Sequence, residues 1–271
     1  IAMSKLPKIT NPKRKAYPSD LSDSEWSIIT PLLPGTKGFG HPRTVDLREI
    51  INAIFYLQRS GCQWEMLPHD FPPHSTVYAY FHKWQRRGIW AEIHNELRHK
   101  VREQAGKLPE PSAVSIDSQS VKTTEKRGEV YGFDGGKKVK GRKRHLIVDT
   151  LGLVIAIIVT EGNTSERLGA VVALSEVLEK LDRLEVIWVD QGYRGDNFER
   201  VVKQLCDARV EVMGQPKGKF EIHPKRWVVE RTFGWLNRYR RLSKDFETHI
   251  ENSESMIHGA MIRLMLKRLA A

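Results

Sequence analysis

The chain has 271 residues, 40% apolar and 28% charged, with 44 Lys and Arg against 33 Asp and Glu. That length supports a sizeable core and two domains, while no apolar run approaches the roughly 18–20 residues that span a bilayer. The net charge of +11 suits a polyanionic partner, either nucleic acid or an anionic membrane surface, so the distribution of the cations has to decide.

The opening IAMSK suggests two residues ahead of a natural start at Met3, and no secretory signal follows. Residues 1–18, polar and basic with Pro7, Pro12 and Pro18, read as a flexible arm. Ser22 or Asp23 caps a helix through about Leu33. A loop with Pro34, Gly35, Gly38, Gly40 and Pro42 leads into VDLREIINAIFYLQRSG, where Leu47, Ile50, Ile51, Ile54 and Leu57 fall at helical spacing and Gly61 ends the helix. Trp64 to Leu67 make a short helical turn, stopped by Pro72 and Pro73. Ser75 then caps a helix holding Val77, Tyr80, Phe81 and Trp84, with Lys83, Arg86 and Arg87 at its end. A further helix runs from about Ile89 to Gln104. Helix, tight turn and capped aromatic-basic helix are similar to a helix-turn-helix, which makes 19–105 an all-α DNA-binding domain, with a plain helical bundle as the alternative. Cys62 and Cys206 lie far apart, which argues against a disulfide framework and for a reducing cytoplasm. None of the ten histidines pairs with a cysteine at zinc-site spacing.

A linker with two prolines, 106–112, precedes a change of pattern. AVSIDSQSV is strand-like, GFDGGKKVKGRKRH reads as a flexible glycine-rich loop, and HLIVDTLGLVIAIIVT reads as two strands around a turn at 150–152. There follow a helix (SERLGAVVALSEVLEKL), a buried parallel strand (EVIWVD), a helix (DNFERVVKQLCDA), a strand (VEVM), the helix that begins near Arg226, and a last helix from about Ser253 to Leu269. Three antiparallel strands followed by alternating helix and strand are the order of the ribonuclease H fold. The expectation for 113–271 is an α/β domain with a ribonuclease H-like mixed sheet flanked by helices. In the last helix Ile257, Met261, Leu264 and Met265 form an apolar stripe, either core or interface.

In such a sheet the strand ending near Asp117 and the one ending at Asp190 are parallel neighbours, so both carboxylates sit at one rim, where open sheets bind ligands. Asp149 ends an antiparallel strand and points to the opposite rim. Glu230 shares a helix face with Arg226. It joins the two aspartates if that helix packs beside their strands, and is a surface ion pair otherwise. Three converging carboxylates need cations, because like charges repel in low dielectric. Hard oxygen donors suit magnesium or manganese, and two such ions, about 3.5–4 Å apart, serve an in-line phosphoryl displacement.

SIDSQSVK, WVDQGYRG and RWVVERTFGWLNRYRRL, in this order, resemble the DDE transposases of bacterial insertion sequences. The similarity is to the group whose catalytic glutamate lies in a Tyr-x2-Arg-x3-Glu-x6-Lys signature, and it extends to LSDSEWSIITPLLP and INAIFYLQRSGCQWEMLP near the start. The resemblance implies that Asp117, Asp190 and Glu230 are catalytic and hold two Mg²⁺ ions, Mn²⁺ substituting, with Asp117 bridging both. Arg226 takes the signature arginine, while His223 replaces the tyrosine and Asn237 the lysine, with Arg238 beside it. It also implies cutting at terminal inverted repeats, joining of 3′-hydroxyl ends to target DNA, action as a homodimer on double-stranded DNA, and a cytoplasmic, nucleoid-associated location in a bacterium.

The expected DNA contacts are Lys137, Lys138, Lys140, Arg142, Lys143 and Arg144 of the basic loop, Tyr193 and Arg194 beside Asp190, Arg226, Arg231, Asn237, Arg238 and Arg241 on and after the Glu230 helix, and Lys83, Arg86 and Arg87 of the candidate recognition helix. If about five of the loop cations meet phosphates, log K falls against log salt with a slope near −4 to −5. Trp227, Trp235 and Tyr239 form a stripe that serves packing or base stacking. Three other functions fit the same features: a ribonuclease H-like endonuclease without strand transfer, a DNA-binding repressor with a silent catalytic domain, and a basic scaffold with no catalytic site.

Overall fold

The computed structural model describes residues 6–35, 44–125, 128–214 and 224–271. His223 and the glycines at 38 and 40 lie outside the described residues, as does the side chain of Arg226. The N-terminal region holds four helices: α1 (Asp23–Ile29), α2 (Leu47–Ser60), α3 (His74–Arg86) and α4 (Ile89–Gln104). Ser22 and Glu25 close a capping box at α1, and Asp46 caps α2. Gly61, at φ 75°, ends α2 in a left-handed cap where a Cβ would meet the Arg240 Cβ at 2.8 Å. Ser75 does not cap α3: Pro73 stands at the N-cap and the helix begins at His74, so the proline that stops the preceding turn also starts the next helix.

The sheet is built from β1 (Ala113–Lys122), β2 (Gly132–Asp134), β3 (Val139–Asp149), β4 (Val154–Glu161), β5 (Val186–Val189) and β6 (Arg209–Val212). β1 and β4 run antiparallel along opposite sides of β3, and β5 and β6 continue parallel beyond β1. This is the mixed sheet that the sequence predicted. The short β2, paired to Val139, Lys140 and Gly141, is an addition to it. α5 (Glu166–Ser175) and α6 (Asp196–Cys206) pack on the face that carries Val114, Ile116, Ile147 and Ile155. α7 (Pro224–Leu236) and α8 (Ile250–Leu269) pack on the other, against Leu146, Val148, Val154 and Ile157.

The expected flexible loop over 132–144 is largely strand. β3 begins at Val139, and the side chains of Arg142, Lys143 and Arg144 point inward. Arg142 donates to the carbonyls of Val130, Glu247 and Thr248 and pairs with Asp245 at 3.1 Å. Arg144 donates to the carbonyls of Leu242 and Lys244, and Lys143 to that of Thr164. Segment 240–249 forms no ladder of its own, and these arginines satisfy carbonyls that burial would otherwise leave unpaired.

One core runs from the N-terminal helices onto the sheet, with α8 between them. Ile50, Phe55, Trp84, Trp90 and Leu97 share it with Met256, Met261, Met265 and Leu146. The α8 stripe is therefore core, with Ile257, Met261 and Met265 fully buried. Polar ties cross the same boundary: Gln58 donates to the Met256 carbonyl, Arg263 pairs with Glu25, and Arg102 pairs with Asp149 at 2.5 Å. Among the described residues no helix is long and apolar enough to cross a membrane.

Candidate active site

Ser115 of β1 sits opposite Trp188 of β5 in parallel register. Two residues on, Asp117 of β1 therefore stands level with Asp190, the residue that follows β5. β5 stops at Val189, just before Asp190, whereas β1 continues to Lys122 along β3. Asp117 is thus mid-strand rather than near a strand end, because the β1–β3 ladder outruns the short parallel strands. The rim left beyond β5 exposes that stretch of β1.

Neither aspartate has a bonded cation among the described residues. An Asp117 carboxylate oxygen accepts the Ser118 N–H at 2.7 Å, and Asp190 accepts the Gly192 N–H at 2.8 Å. Burial pushes the Asp117 carboxyl up to about 7, and the charges of Asp190 and Glu166 push the same way against the Ser118 N–H and Lys137.

Glu166 is the residue that the sequence reading missed. It opens α5 behind the Ser165 cap, and its carboxylate accepts the Ser118 hydroxyl at 3.1 Å. A glutamate in a first helical turn is the ordinary complement of the helix dipole, so nothing in SERLGA sets it apart. Gly192 carries the signal: a Cβ there would lie 2.4 Å from Glu166 Oε2 and 3.1 Å from Asp190 Oδ1. The glycine leaves room for two carboxylates to face one point. Arg167 fixes the approach by donating to the Gly192 carbonyl at 3.1 Å. Tyr193, expected on the DNA, is instead buried with its ring against Phe198. Its hydroxyl makes no well-formed hydrogen bond, although the Ser118 side chain is near, and burial with the charges of Asp117, Glu166 and Asp190 raises its pKa well above normal against that neighbour.

Glu230 is placed differently. α7 starts with the Lys225 carbonyl bonded to Ser115, and reaches the β3–β4 turn with Arg231 on the Leu151 carbonyl and Thr232 on that of Gly152. That turn lies beyond the end of β1 away from Asp117, since Val114 pairs with Asp149. Val228, Val229, Thr232 and Phe233 face the core, while Glu230 is exposed with Trp227 and Gly234. Among the described residues no three His, Cys, Asp or Glu side chains gather closely enough to hold a metal ion. The structure brings Asp117 and Asp190 together and does not gather Glu230 with them at that range.

Of the expected DNA contacts, Lys83, Arg86, Arg87, Lys138, Lys140, Arg194, Asn237 and Arg238 are exposed. Lys137 is half-exposed and reaches inward to the Ser118 carbonyl at 3.1 Å. Arg142, Lys143 and Arg144 are buried in the bonds given above, and Arg241 in an ion pair with Glu247. With three of six cations turned inward, the salt slope expected from this run falls to about −2 to −3. Arg231 sits between Trp227 and Trp235, 5.0 and 4.8 Å from the ring centres. The aromatic stripe divides: Trp227 is 42% exposed, whereas the Tyr239 hydroxyl bonds the Ala260 carbonyl. A cationic cleft of ≈ 540 Å³ opens beside it, lined among others by Arg59, Trp235, Arg238, Lys267 and Arg268.

Comparison with known proteins matches residues 21–94 to a family described as "Putative transposase of IS4/5 family (DUF4096)" and residues 108–265 to one described as "Transposase DDE domain". A "Putative transposase for insertion sequence element IS402" from Burkholderia cepacia is 31% identical over 137 residues, 46% of this chain and 60% of that protein. An "Insertion element IS402 uncharacterized 16.2 kDa protein" from the same organism is 29% identical over 112 residues, 38% of this chain and 72% of that protein. Among solved structures, a simian T-cell lymphotropic virus intasome in complex with the PP2A regulatory subunit B56 gamma aligns with 47% of this chain and 39% of its own, at 19% identity and a TM-score of 0.30. That overlay is too loose to carry an argument.

Proposed function

Because the chain belongs to the transposase DDE domain family, we propose that it is the transposase of a bacterial insertion sequence, which cuts DNA at terminal inverted repeats and joins the 3′-hydroxyl ends to target DNA. The observation that carries this reading is the level pair of Asp117 on β1 and Asp190 just beyond the parallel β5, with Asp117 raised to about 7 by burial and by neighbouring acids. Carboxylates left without a bonded cation fit hard divalent ions. Asp117, Asp190 and Glu230 are the residues that would hold two Mg²⁺, which supply electrostatic stabilisation of the attacking and leaving oxygens in a phosphodiester displacement.

The chain's own contribution is position and charge. The Ser118 and Gly192 N–H groups orient the two aspartates. Glu230 joins them when DNA engages α7, whose outer face it shares with Trp227. Arg194, Lys138 and Lys140 meet phosphates beside the cut. Arg226, Asn237 and Arg238 serve the DNA end, and Lys83, Arg86 and Arg87 on the outer side of α3 meet the inverted repeat, with 19–105 as the DNA-binding region and 113–271 as the catalytic one. Two copies pair on two DNA ends, in the cytoplasm and on the nucleoid.

The test uses DNA carrying the element's inverted repeats, with Mg²⁺ or Mn²⁺. Cutting and joining are expected from the full chain, with losses of at least about a thousandfold in Asp117→Ala, Asp190→Ala and Glu230→Gln. Cutting that survives Asp117→Ala refutes the reading. Cutting without joining of pre-cut ends favours the endonuclease, and binding without any cut favours the repressor.

A further inference from the structure

Two charged side chains outside the proposed triad meet at Asp117 and Asp190. Glu166 faces Asp190 across the space that Gly192 leaves free, and accepts the hydroxyl of Ser118, the neighbour of Asp117. Lys137, from the turn between β2 and β3, places its ammonium 3.6 Å from Glu166 Oε1 and 3.1 Å from the Ser118 carbonyl. We propose that Glu166 is a fourth carboxylate of the ion-binding site, and that Lys137 is its built-in counter-cation, which holds the acids together until a divalent ion displaces it. This rests on the function proposed above and adds a residue and a resting state to it.

Three observations carry the inference. The first is steric: Gly192 is the one residue between Asp190 and Tyr193 where any side chain would fill the gap between two carboxylates. The second is the Tyr193 hydroxyl, on a side chain with no exposure, which the nearby Ser118 side chain does not meet in a well-formed hydrogen bond and which lies within electrostatic reach of Asp117, Glu166 and Asp190. A buried hydroxyl left unpaired is costly, and a native one calls for a missing water, ion or substrate atom. The three acids do not gather closely enough to ligate one ion directly, so an ion that reaches them through its own water shell supplies that partner. The third is the weakness of the Lys137 contact. Its side chain is 45% exposed and its ion pair is long, so little holds it against a divalent competitor. Three acids with one loosely held ammonium remain short of positive charge.

Removing Glu166 should loosen the ion, and removing Lys137 should tighten it. Mn²⁺ is titrated into the full chain without DNA and followed by its paramagnetic resonance signal, with thermal melting to verify folding. Asp117→Asn is expected to abolish the tight site, and Glu166→Gln to weaken it about tenfold or more. Glu166→Asp, which keeps the charge on a shorter arm, falls between; Lys137→Gln binds severalfold tighter than the parent. Parental affinity in Glu166→Gln, or in Glu166→Asp if the glutamine variant fails to fold, overturns the proposal. So does a Lys137→Gln chain that binds no tighter. In those cases a site still lost in Asp117→Asn leaves the proposed function standing, whereas a site that survives Asp117→Asn removes that reading as well.

Discussion

Replacing Asp117 with asparagine should make the metal-free protein more stable while removing its activity. The native carboxyl titrates at about 7 against an ordinary value of 3.8, chiefly because it is buried and secondarily because Asp190 and Glu166 stand near. A group whose native pKa is raised keeps its proton in the folded state after the unfolded chain has released it. Its contribution to stability is therefore greatest below about pH 4, falls as pH rises to about 7, and is flat above. Each pKa unit is about 1.4 kcal/mol, which sets a ceiling near 4 kcal/mol. Partial exposure and solvent relaxation reduce the working figure to about 2 kcal/mol. For a chain of this size that corresponds to roughly 4–8 °C in Tm. The assay is thermal melting of parent and Asp117→Asn at pH 5 and pH 8, in EDTA and in Mg²⁺. In EDTA at pH 8 the variant melts higher, and the gap narrows to less than half at pH 5. In Mg²⁺ the parent gains stability and the variant does not, since only the ionised carboxylate holds the ion. Equal pH dependence in both proteins, or a variant less stable at pH 8 without metal, refutes the argument that Asp117 is held at an electrostatic cost.

Arg142→Ala should cost about 3–5 kcal/mol in urea unfolding, because it strands the buried Asp245 and three carbonyls. Lys140→Ala, two residues away and exposed, should leave stability within about 0.5 kcal/mol and lower the salt slope of DNA binding by about 1. Gly192→Ala pushes a methyl group between Glu166 and Asp190 and should weaken Mn²⁺ binding by about tenfold in the same resonance titration, with little change in melting temperature. Arg102→Ala leaves Asp149 buried without its cation and should cost about 3–5 kcal/mol, measured by denaturant unfolding.

The strand order, the helices α2 and α4 and the level placement of Asp117 and Asp190 were legible because each rests on periodicity and on local stops. Leu47 to Leu57 and the Gly61 cap are signals contained within a few residues. The basic run 137–144 was misread because its cations look like a solvated loop until their partners are known. Those partners, Asp245 and the carbonyls of 242–248, lie about a hundred residues away in the chain. Tyr193 looks like a DNA contact in the sequence for a similar reason: adjacency to Asp190 says nothing of which side of a tight turn a ring packs on. Glu166 was illegible because its meaning depends on Gly192 and Ser118, which belong to two other elements. Glu230 shows the converse. Its signature spacing is plain in the sequence, yet the face of α7 that it occupies is set by Val228, Val229 and Phe233, which claim the core.

Three acids of the sheet and its surroundings separate structural from chemical roles by how their charge is met. Asp149 is fully buried, yet Arg102 lies 2.5 Å away and the N–H groups of Leu151 and Leu153 bond the same carboxylate. It closes the β3–β4 turn and ties the N-terminal helices to the sheet. Asp245, equally buried, is met by Arg142, the Ser253 hydroxyl and the Glu247 N–H. Asp117 receives one backbone N–H and two more acids, while the nearest ammonium bonds Glu166 and a carbonyl instead. Asp149 and Asp245 are fully buried and Asp117 only partly, so the acid with the least burial is also the one left without a bonded cation. A fold able to surround two carboxylates with arginine and backbone donors has the means to do so for a third. Leaving Asp117 short of positive charge at an open rim is stable only if something outside the chain supplies it.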